Sequence, residues 1–479
     1  MRLTRTFGTL VRSSTIGCSK LPLLVGSALL LLGCATGGTS AGALNAQEAP
    51  APHLRAPVAP SQQEPARHVE RMPDPATDQS VSLGGILAFA DEHSPVLAVA
   101  RSTRSRAEAA RVAASLLLPS NPEITIAAGP RMGPAGRGVD VDVSLMQQVQ
   151  IAGERGRRVD VAKRLKDVTD ADIEQMRWAV HCDVHAGFHR ALVEQERVRL
   201  AERVVTFQQE VLRVVERQIA AGETAPLTLR LAQAEVAQAE QVLVGARQAF
   251  LAARLRLALL AGWPFATPPS PTGKFDNPRE PPPLSDLSTV ARKSLPSLRA
   301  GAARIQEAKA RIELANREAW PRPSVGVQYK REGNPGAEGV YDILMGVLSM
   351  PIPSTNLNQG ERARAQADLT VAQTELSATR GLLDGQIAEA RSEVVAASAR
   401  TKAYGNEILP RFEENLTLLR RSFELGEIDI LALSTGRERF LRIQSDALLA
   451  VQDYFTALAG LERVVGIDLW TDDHDDKSP

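Results

Sequence analysis

A run of 70 residues without proline, from Gly153 to Gly222, constrains the fold more than any other feature of the sequence. The run is rich in Ala, Glu, Arg, Val and Leu, a composition typical of long helices. At ~1.5 Å per residue, such a helix would extend roughly 100 Å, several times the diameter of a small domain. The chain then turns near Pro226 and keeps a helical composition to Gly262. The stretch 153–262 therefore predicts a helical hairpin too long for a compact globule.

Nearly the same plan recurs about two hundred residues later. Residues 421–431 echo 217–227, and a Leu295-Pro296 helix start echoes Ser94-Pro95 at an offset of 201 residues. The offset rises to 204 at the second turn, which predicts a small insertion in the second long helix, expected to run from 359 to about 425. A second hairpin is predicted over 359–466. The fold class is therefore mainly α with a small β part, built from a duplicated helix–strand–strand–helix–helix unit.

Four segments alternate between apolar and polar residues, as half-buried strands do: 123–128, 139–150, 324–331 and 340–350. In the second segment, Val and Leu face away from Asp140 and Asp142. In the fourth, we predict an apolar face opposite Asp342 and Gly346, made of Tyr341, Ile343, Met345 and Val347.

In a secreted protein this alternation fits a membrane β-barrel, with lipid outside and water inside. Bacterial barrels need about eight strands or more, so four strands require several copies of the chain. Asp140 and Asp142 would then line the lumen, where they would favour cations. The alternatives are a solvated polar face for the two carboxylates and a small soluble sheet lying on the helices.

The N-terminus predicts the compartment. Four basic residues precede an apolar run over 21–33, which is too short to span a bilayer but suits a secretory signal. The run ends in Leu31-Leu32-Gly33-Cys34, which resembles the lipobox of a bacterial lipoprotein. We expect residues 1–33 to be a signal peptide and Cys34 to carry lipid, including palmitate. An ordinary signal peptide cleaved after Ala43 or Ala46 is the alternative.

The remaining segments follow from composition. Residues 34–80 predict a disordered tether rich in Ala, Pro, Ser and Gln. The first repeat spans 81–263, a Pro-rich linker 264–283, the second repeat 284–467 and an acidic tail 468–479.

The formal charge is zero, which gives no basic footprint for nucleic acid. No phosphate loop, dinucleotide fingerprint or nucleophile elbow is present, so neither an enzyme nor a cofactor is predicted.

Several motifs together resemble the TolC-like outer-membrane efflux family across about residues 80–467. Ser94-Pro95-Val96-Leu97 is similar to the family's N-P-x-L, and residues 117–122 to its L-x-P-N-P with one extra residue. The segments after the second and fourth strands, 147–158 and 350–360, resemble those of the heavy-metal (CzcC/CusC-like) branch. The drug-efflux branch usually carries D-L-F-G-R at the first of these sites, and this chain does not.

The resemblance implies a homotrimer in the outer membrane of a Gram-negative bacterium. Three copies would form a twelve-strand barrel and a twelve-helix periplasmic tunnel, docked onto a periplasmic adaptor and an inner-membrane pump of the resistance–nodulation–division class. The implied function is a passive exit duct for substrates, here heavy-metal cations. Alternatives are a drug-efflux or type I secretion channel, and an adaptor-like or structural coiled-coil lipoprotein.

The resemblance also places adaptor contacts at the two helical turns. In the family these turns often read G-x-x-S/T-x-x-D-L/V-L; the second turn keeps the Asp and Leu, whereas the first has Ala225-Pro226 instead. Both glycines could also simply end their helices in a left-handed cap. The expected contact residues are Gly222, Glu223, Thr224, Pro226 and Leu227 at the first turn, and Gly426, Glu427, Asp429 and Leu431 at the second.

Three histidines share one stripe of the first long helix. His181, His185 and His189 are spaced by four residues, with Cys182 beside them. His and Cys are common zinc and copper ligands, so His181 and His185 are the candidates for a metal site. A packing face or tunnel lining explains the stripe better, and no metal site is predicted.

Overall fold

Long helices dominate the computed structural model, which describes residues 80–118, 120–133, 136–222, 225–275, 277–333 and 340–469. The helices are α1 (Leu83–His93), α2 (Pro95–Ser115), α3 (Glu154–Ala220), α4 (Pro226–Ala261), α5 (Leu284–Ser294), α6 (Pro296–Arg317), α7 (Gln359–Ala403), α8 (Leu409–Glu424) and α9 (Ile430–Val465).

Two sheets accompany the helices. The larger has the strand order β2-β3-β5-β6, with every neighbouring pair antiparallel. The smaller pairs β1 (Ser80–Val81) in parallel with β4 (Ser270–Pro271), a contact that the sequence pattern did not predict. The large sheet consists of β2 (Glu123–Gly133), β3 (Gly136–Gln148), β5 (Ser324–Gly333) and β6 (Val340–Ser349). The predicted fold class, a duplicated unit that is mainly α with a small β part, is confirmed.

Local sequence explains where the helices begin. Ser82 caps α1 by accepting a hydrogen bond from the Gly85 backbone N–H at 3.2 Å. Pro95, Pro226 and Pro296 each occupy the first helical position, where the missing N–H costs nothing. No proline interrupts α3, and its 67 residues form one unbroken helix.

The predicted insertion in the second long helix is wrong. The residues before α3 and α7 are Gly153 and Asn358, both left-handed at φ 76° and 58°. These caps are already 205 residues apart, whereas the paired strand starts Glu123 and Ser324 differ by 201. The additional residues therefore lie before the helix, in the longer connection between β5 and β6 and in the longer connection between β6 and α7. Asn tolerates the left-handed conformation better than most residues other than Gly.

The second long helix is also not continuous, contrary to the prediction for 359–425. A π-helical turn, Tyr404–Ile408, separates α7 from α8. Pro410 follows it, and a proline inside an α-helix removes one hydrogen bond and clashes with the carbonyl four residues earlier. The wider turn absorbs this conflict, and the Leu409 N–H donates to the Tyr404 carbonyl instead.

Three apolar clusters stabilise the helices. One packs α1 onto α3 and α4 around Ile86 and Leu257, and another packs α5 onto α7 and α9 around Leu287 and Leu461. The third lies near the two helical turns and joins the hairpins to each other. Because α3 contacts α1, α2, α4, α6 and α9, it is the central element of the helical part.

We expect Gly262→Ala to destabilise the fold by more than about 1–2 kcal/mol. Gly262 has φ 77°, a left-handed conformation that costs residues with a side chain about 1–2 kcal/mol. An added Cβ would also collide with the His93 carbonyl oxygen. The control is Gly245→Ala, at an exposed position within α4 with open space around it, where alanine should stabilise the helix by up to about 1 kcal/mol. The measurement is the thermal midpoint of the helical circular-dichroism signal, and equal midpoints for both variants would contradict the assignment.

Candidate channel wall and docking tips

The large sheet has one apolar face and one mixed face, set by its register. Ile126 lies opposite Val143, Val143 opposite Tyr329, and Tyr329 opposite Leu344, so the four share a face. Apolar side chains on that face are strongly exposed, with Leu344 at 75% and Ile126 at 69%. Such a face requires an apolar environment outside the described chain.

The sheet does not lie on the helices. Among the described residues, its strands form no extensive packing contact with any helix, which argues against the soluble alternative. Among the described strands, β2 and β6 each have only one neighbour, although they are 11 and 10 residues long. Long unpaired edges are templates for pairing with another chain, so this sheet is incomplete in one copy.

The predicted face of the fourth strand is wrong. Ile343 lies opposite Lys330 and Met345 opposite Gln328, which puts both residues on the mixed face. The same register puts Tyr341 and Val347 there, while Asp342 and Gly346 share the apolar face with Leu344 and Leu348. Both faces of β6 carry apolar residues, so alternation could not choose between them. Pairing with β5 decides the face, since a shift of one residue turns every side chain over.

Asp140 and Asp142 lie on the mixed face, each with a donor. Asp140 accepts from Arg131 Nε at 2.9 Å and from the Gly333 backbone N–H at 3.0 Å. Gln328 Nε2 donates to Asp142 Oδ2 at 2.6 Å. Glu332 lies 2.6 Å from Lys330 Nζ and 3.3 Å from Arg131. The cluster holds three carboxylates and two cations, so its net negative charge is smaller than the two aspartates alone imply.

Sequence reasoning missed Arg131, Lys330 and Glu332 as members of this cluster. The signal for Lys330 was present, because the period of two that puts Gln328 opposite the apolar face also places Lys330 there. Glu332 lies one residue beyond the predicted strand end at 331, and the observed strand continues to Gly333. Arg131 lies beyond the predicted end of its strand at 128, and the observed strand continues to Gly133.

Both helical turns end their helices in the same way. Gly222 and Gly426 each have φ 76°, and their N–H groups donate to the carbonyls of Ile219 and Phe423 at 2.9 and 3.0 Å. These are the left-handed caps that the sequence allowed. Leu227 and Leu431, at corresponding positions after each turn, remain 67% and 66% exposed.

The helices that follow the turns are capped differently. Asp429 accepts from the Ala432 N–H at 2.8 Å, which is a side-chain N-cap for α9. Ala225 gives α4 no side-chain cap, and its carbonyl instead accepts from the Thr228 N–H at 3.0 Å. Glu223 and Thr224, two of the expected contact residues, lie outside the described residues, as does Cys34. Gly222, Pro226, Leu227, Gly426, Glu427, Asp429 and Leu431 are all described.

A polar cluster joins the hairpins above the tips, and the sequence alone did not reveal it. Glu235 of α4 accepts from Gln208 of α3 at 3.0 Å, from Ser434 of α9 at 3.2 Å and from Arg437 of α9 at 3.3 Å. Arg437 is buried, and its Nε and Nη1 have no hydrogen-bond partner among the described residues. Its guanidinium lies 5.8 Å from the centre of the Phe207 ring. A buried arginine with one carboxylate partner makes this junction sensitive to the charge of Glu235.

The histidine stripe is a packing face between α3 and the end of α9. His181 Nε2 lies 2.7 Å from Asp468 Oδ1, and His185 Nδ1 lies 2.9 Å from Glu462 Oε2. Burial acts to raise the pKa of Asp468, but the hydrogen bond from His181 and the electrostatic attraction of His181 and His185 together outweigh it, so the pKa of that carboxyl is lowered. His189 stacks on Phe455 with ring centres 3.8 Å apart, and burial lowers its pKa to about 3, so it is neutral.

The neighbouring thiol does not complete a ligand set. Burial raises the pKa of Cys182 to about 12, which keeps it protonated, whereas metals bind the thiolate. Across the described ranges, no three His, Cys, Asp or Glu side chains converge as a metal site would require. The described helices likewise include none whose length and apolarity would suit a bilayer crossing.

Comparison with known proteins identifies relatives of this chain and structures that share its fold. The relatives include the cobalt-zinc-cadmium resistance protein CzcC of Cupriavidus metallidurans, 24% identical over 66% of this chain and 75% of that protein. The pyoverdine export outer membrane protein OpmQ of Pseudomonas putida is 23% identical over 67% of this chain and 70% of its own length. A crystal structure of CusC, described with its transmembrane channel formation, superposes with a TM-score of 0.63 at 14% identity, covering 86% of this chain and 99% of CusC.

These likenesses agree with the resemblance to TolC-like channels, including the heavy-metal branch. Residues 88–263 and 287–467 match the family described as outer membrane efflux protein. The two matched ranges correspond to the two repeats and together exceed half of the chain. The chain therefore belongs to the outer membrane efflux protein family.

Proposed function

We propose that this protein is the exit duct of a tripartite efflux system in the outer membrane of a Gram-negative bacterium. The observation that carries the proposal is the large sheet, with two long unpaired edges and an exposed apolar face opposite a mixed one. Pairing β6 of one copy with β2 of the next satisfies the open edges and turns the apolar faces toward lipid. The family consists of channel proteins rather than enzymes.

The proposed assembly is a homotrimer. Three copies supply twelve strands, enough to close a barrel with a polar interior, and twelve helical segments around a periplasmic tunnel. Asp140 and Asp142 would then face the lumen together with Arg131 and Lys330. Because Asp140 is paired with Arg131, while Asp142 accepts from the neutral amide of Gln328, we expect only weak cation preference from the barrel itself.

The partners proposed are a periplasmic adaptor and an inner-membrane resistance–nodulation–division pump, which supplies the energy. The duct conducts passively. The two turns at Gly222 and Gly426 lie at the end of the helices farthest from the sheet, where an adaptor would meet them. We also propose that residues 1–33 are removed and that a lipid on Cys34 anchors the chain through the tether 34–80.

Heavy-metal cations are the proposed cargo. The support is the similarity to CzcC and the segments 147–158 and 350–360, which resemble the metal branch. The siderophore exporter OpmQ is similar at nearly the same identity, so a small organic solute is the competing cargo. Discrimination between them belongs to the pump, because the described duct presents no convergent metal-binding group.

The assembly is tested by extracting the full-length protein in detergent. We expect a heat-sensitive trimer on gels, a β-sheet contribution to circular dichroism and stepwise conductance in planar bilayers, because strand closure requires three copies. A monomer with no conductance would reject both the barrel and the exit-duct function.

The docking tips are tested by Leu227→Ser/Leu431→Ser, which removes two exposed apolar side chains from the turns. If these leucines anchor an adaptor, its affinity should fall by about tenfold or more, and resistance to cobalt, zinc and cadmium should fall with it. Leu382→Ser, at an equally exposed leucine far from the turns, is the control. If the double variant binds the adaptor as tightly as the wild type does, these leucines are not part of the docking site. Unchanged metal resistance with weakened docking would favour the organic cargo.

We also propose that the polar cluster around Glu235 and Arg437 helps to keep the tips of the tunnel closed, and Glu235→Gln tests this gate. The change leaves the buried Arg437 without its carboxylate and should weaken the junction between the hairpins by about 1–3 kcal/mol, which would favour an open tip. We expect higher basal conductance and greater susceptibility to vancomycin, which normally cannot cross the outer membrane. Glu240→Gln, an exposed carboxylate on the same helix, is the matched control. Equal conductance of the two variants would remove this cluster from the gate.

A further inference from the structure

A groove between α3 and α6 carries an excess of positive charge. It has a volume of about 630 Å³ and is lined by five basic and three acidic side chains. The chain as a whole has a formal charge of zero, so this concentration is local. The basic members are Arg157, Lys163, Arg164, Lys166 and Lys309, and the acidic members are Asp160, Asp167 and Glu313.

The cations in this groove are only partly neutralised. Arg164 pairs with Asp167 at 3.2 Å, while Arg157 lies 3.8 Å from each of its two carboxylates, a loose arrangement. Lys163, Lys166 and Lys309 are exposed, and none forms a salt bridge with a residue that the structure describes. Lys163 and Lys309 are therefore available to an external anion, as is Lys166, although it also attracts Glu108 of α2.

The groove lies at the end of the helices next to the sheet. Lys163 is nine residues into α3 and Lys309 eight residues from the end of α6, so each is roughly 12–14 Å from the helix terminus that leads to a strand. The tip at Gly222 is 59 residues from Lys163, about 90 Å away. A ligand of this groove is thus on the sheet side of the molecule, far from the proposed adaptor contacts.

Exposed apolar side chains occupy three of the connections between helices and strands at this end of the molecule. Trp320, 57% exposed, stands between α6 and β5, while Leu117 and Leu118 lie just after α2 and Ile352 lies after β6. Tryptophan prefers the boundary between hydrocarbon and headgroups in membrane proteins. Three surfaces therefore follow one another away from the sheet. The apolar face of the strands comes first, the apolar connections with Trp320 come next, and the cationic groove comes last.

We propose that this groove binds the headgroup of an anionic glycerophospholipid in the periplasmic leaflet of the outer membrane. The inference rests on the proposed function, because it takes the sheet to be embedded in that membrane. The phosphodiester would accept hydrogen bonds from Lys163 and Lys309 on the facing helices, and Arg157 can present two N–H groups to one phosphate. The formal excess of two positive charges matches cardiolipin, which carries two phosphates. One such lipid would link the first repeat to the second through α3 and α6.

The test uses the detergent-extracted full-length trimer and native mass spectrometry with cardiolipin, phosphatidylglycerol or phosphatidylethanolamine added. We expect cardiolipin and phosphatidylglycerol to be retained in preference to phosphatidylethanolamine. Lys163→Gln/Lys166→Gln/Lys309→Gln should weaken retention by about 100-fold, because each of the three basic groups near an anionic surface contributes roughly a factor of five. Higher salt should also weaken the retention of anionic lipids by the wild-type protein, because salt screens the charges.

The matched control is Lys274→Gln/Lys293→Gln/Lys402→Gln, which removes the same charge from exposed lysines elsewhere in the described chain. It should retain the anionic lipids as the wild type does. The single variant Lys309→Gln, expected to weaken retention by about fivefold, replaces the triple variant if that one does not assemble.

Equal retention by the groove and control variants, or equal binding of phosphatidylethanolamine, would overturn the lipid assignment. Displacement of cardiolipin by inorganic phosphate would also overturn it, in favour of a site for free anions. A heat-sensitive, conducting trimer without lipid preference would reject only this inference. A protein that forms no trimer and no channel would reject the exit-duct function itself.

Discussion

The packing of both hairpins along α3 holds the helical part of this protein together. Helices α4, α6 and α9 all contact it, and α1 covers one side through Val180, Val184 and Phe188. A helix of this length gains most of its stability from such contacts rather than from intrinsic propensity. The His185–Glu462 and His181–Asp468 pairs add polar contacts to the same interface. The histidine stripe is therefore explained by its role in joining α3 to the second repeat.

The two repeats follow the same backbone path but stabilise it with different side chains. Gly153 and Asn358 both adopt the left-handed conformation before the long helix, and Gly222 and Gly426 both adopt it after. Asp429 caps the helix after the second turn with its side chain, whereas the first turn relies on Pro226 and a backbone bond. The second long helix contains Pro410 and accommodates it with a π-helical turn, while α3 is unbroken. Duplication preserved the backbone path more closely than the side chains that stabilise it.

The sheet and the helical tips impose opposite requirements on their surroundings. An exposed apolar face with open edges is stable only beside lipid and further copies of the chain. The tips instead combine exposed leucines at both turns with a buried polar junction between the hairpins. The cationic groove lies between these regions, next to the sheet. The described chain thus carries three chemically different surfaces: the sheet, the groove and the tips.

The sequence by itself determined the duplicated plan, the long helices and the strands, because proline spacing and alternation of period two or 3.6 are local properties. It located Gly222 and Gly426 at the turns for the same reason. Only the tertiary structure decided the facing of β6, since Tyr341 and Leu344 are both apolar and the pairing with β5 chooses between them. It also decided which charges meet, as with Glu235 and Arg437, which are 202 residues apart. Contacts between distant residues depend on how the repeats pack, and a local pattern carries no information about that packing.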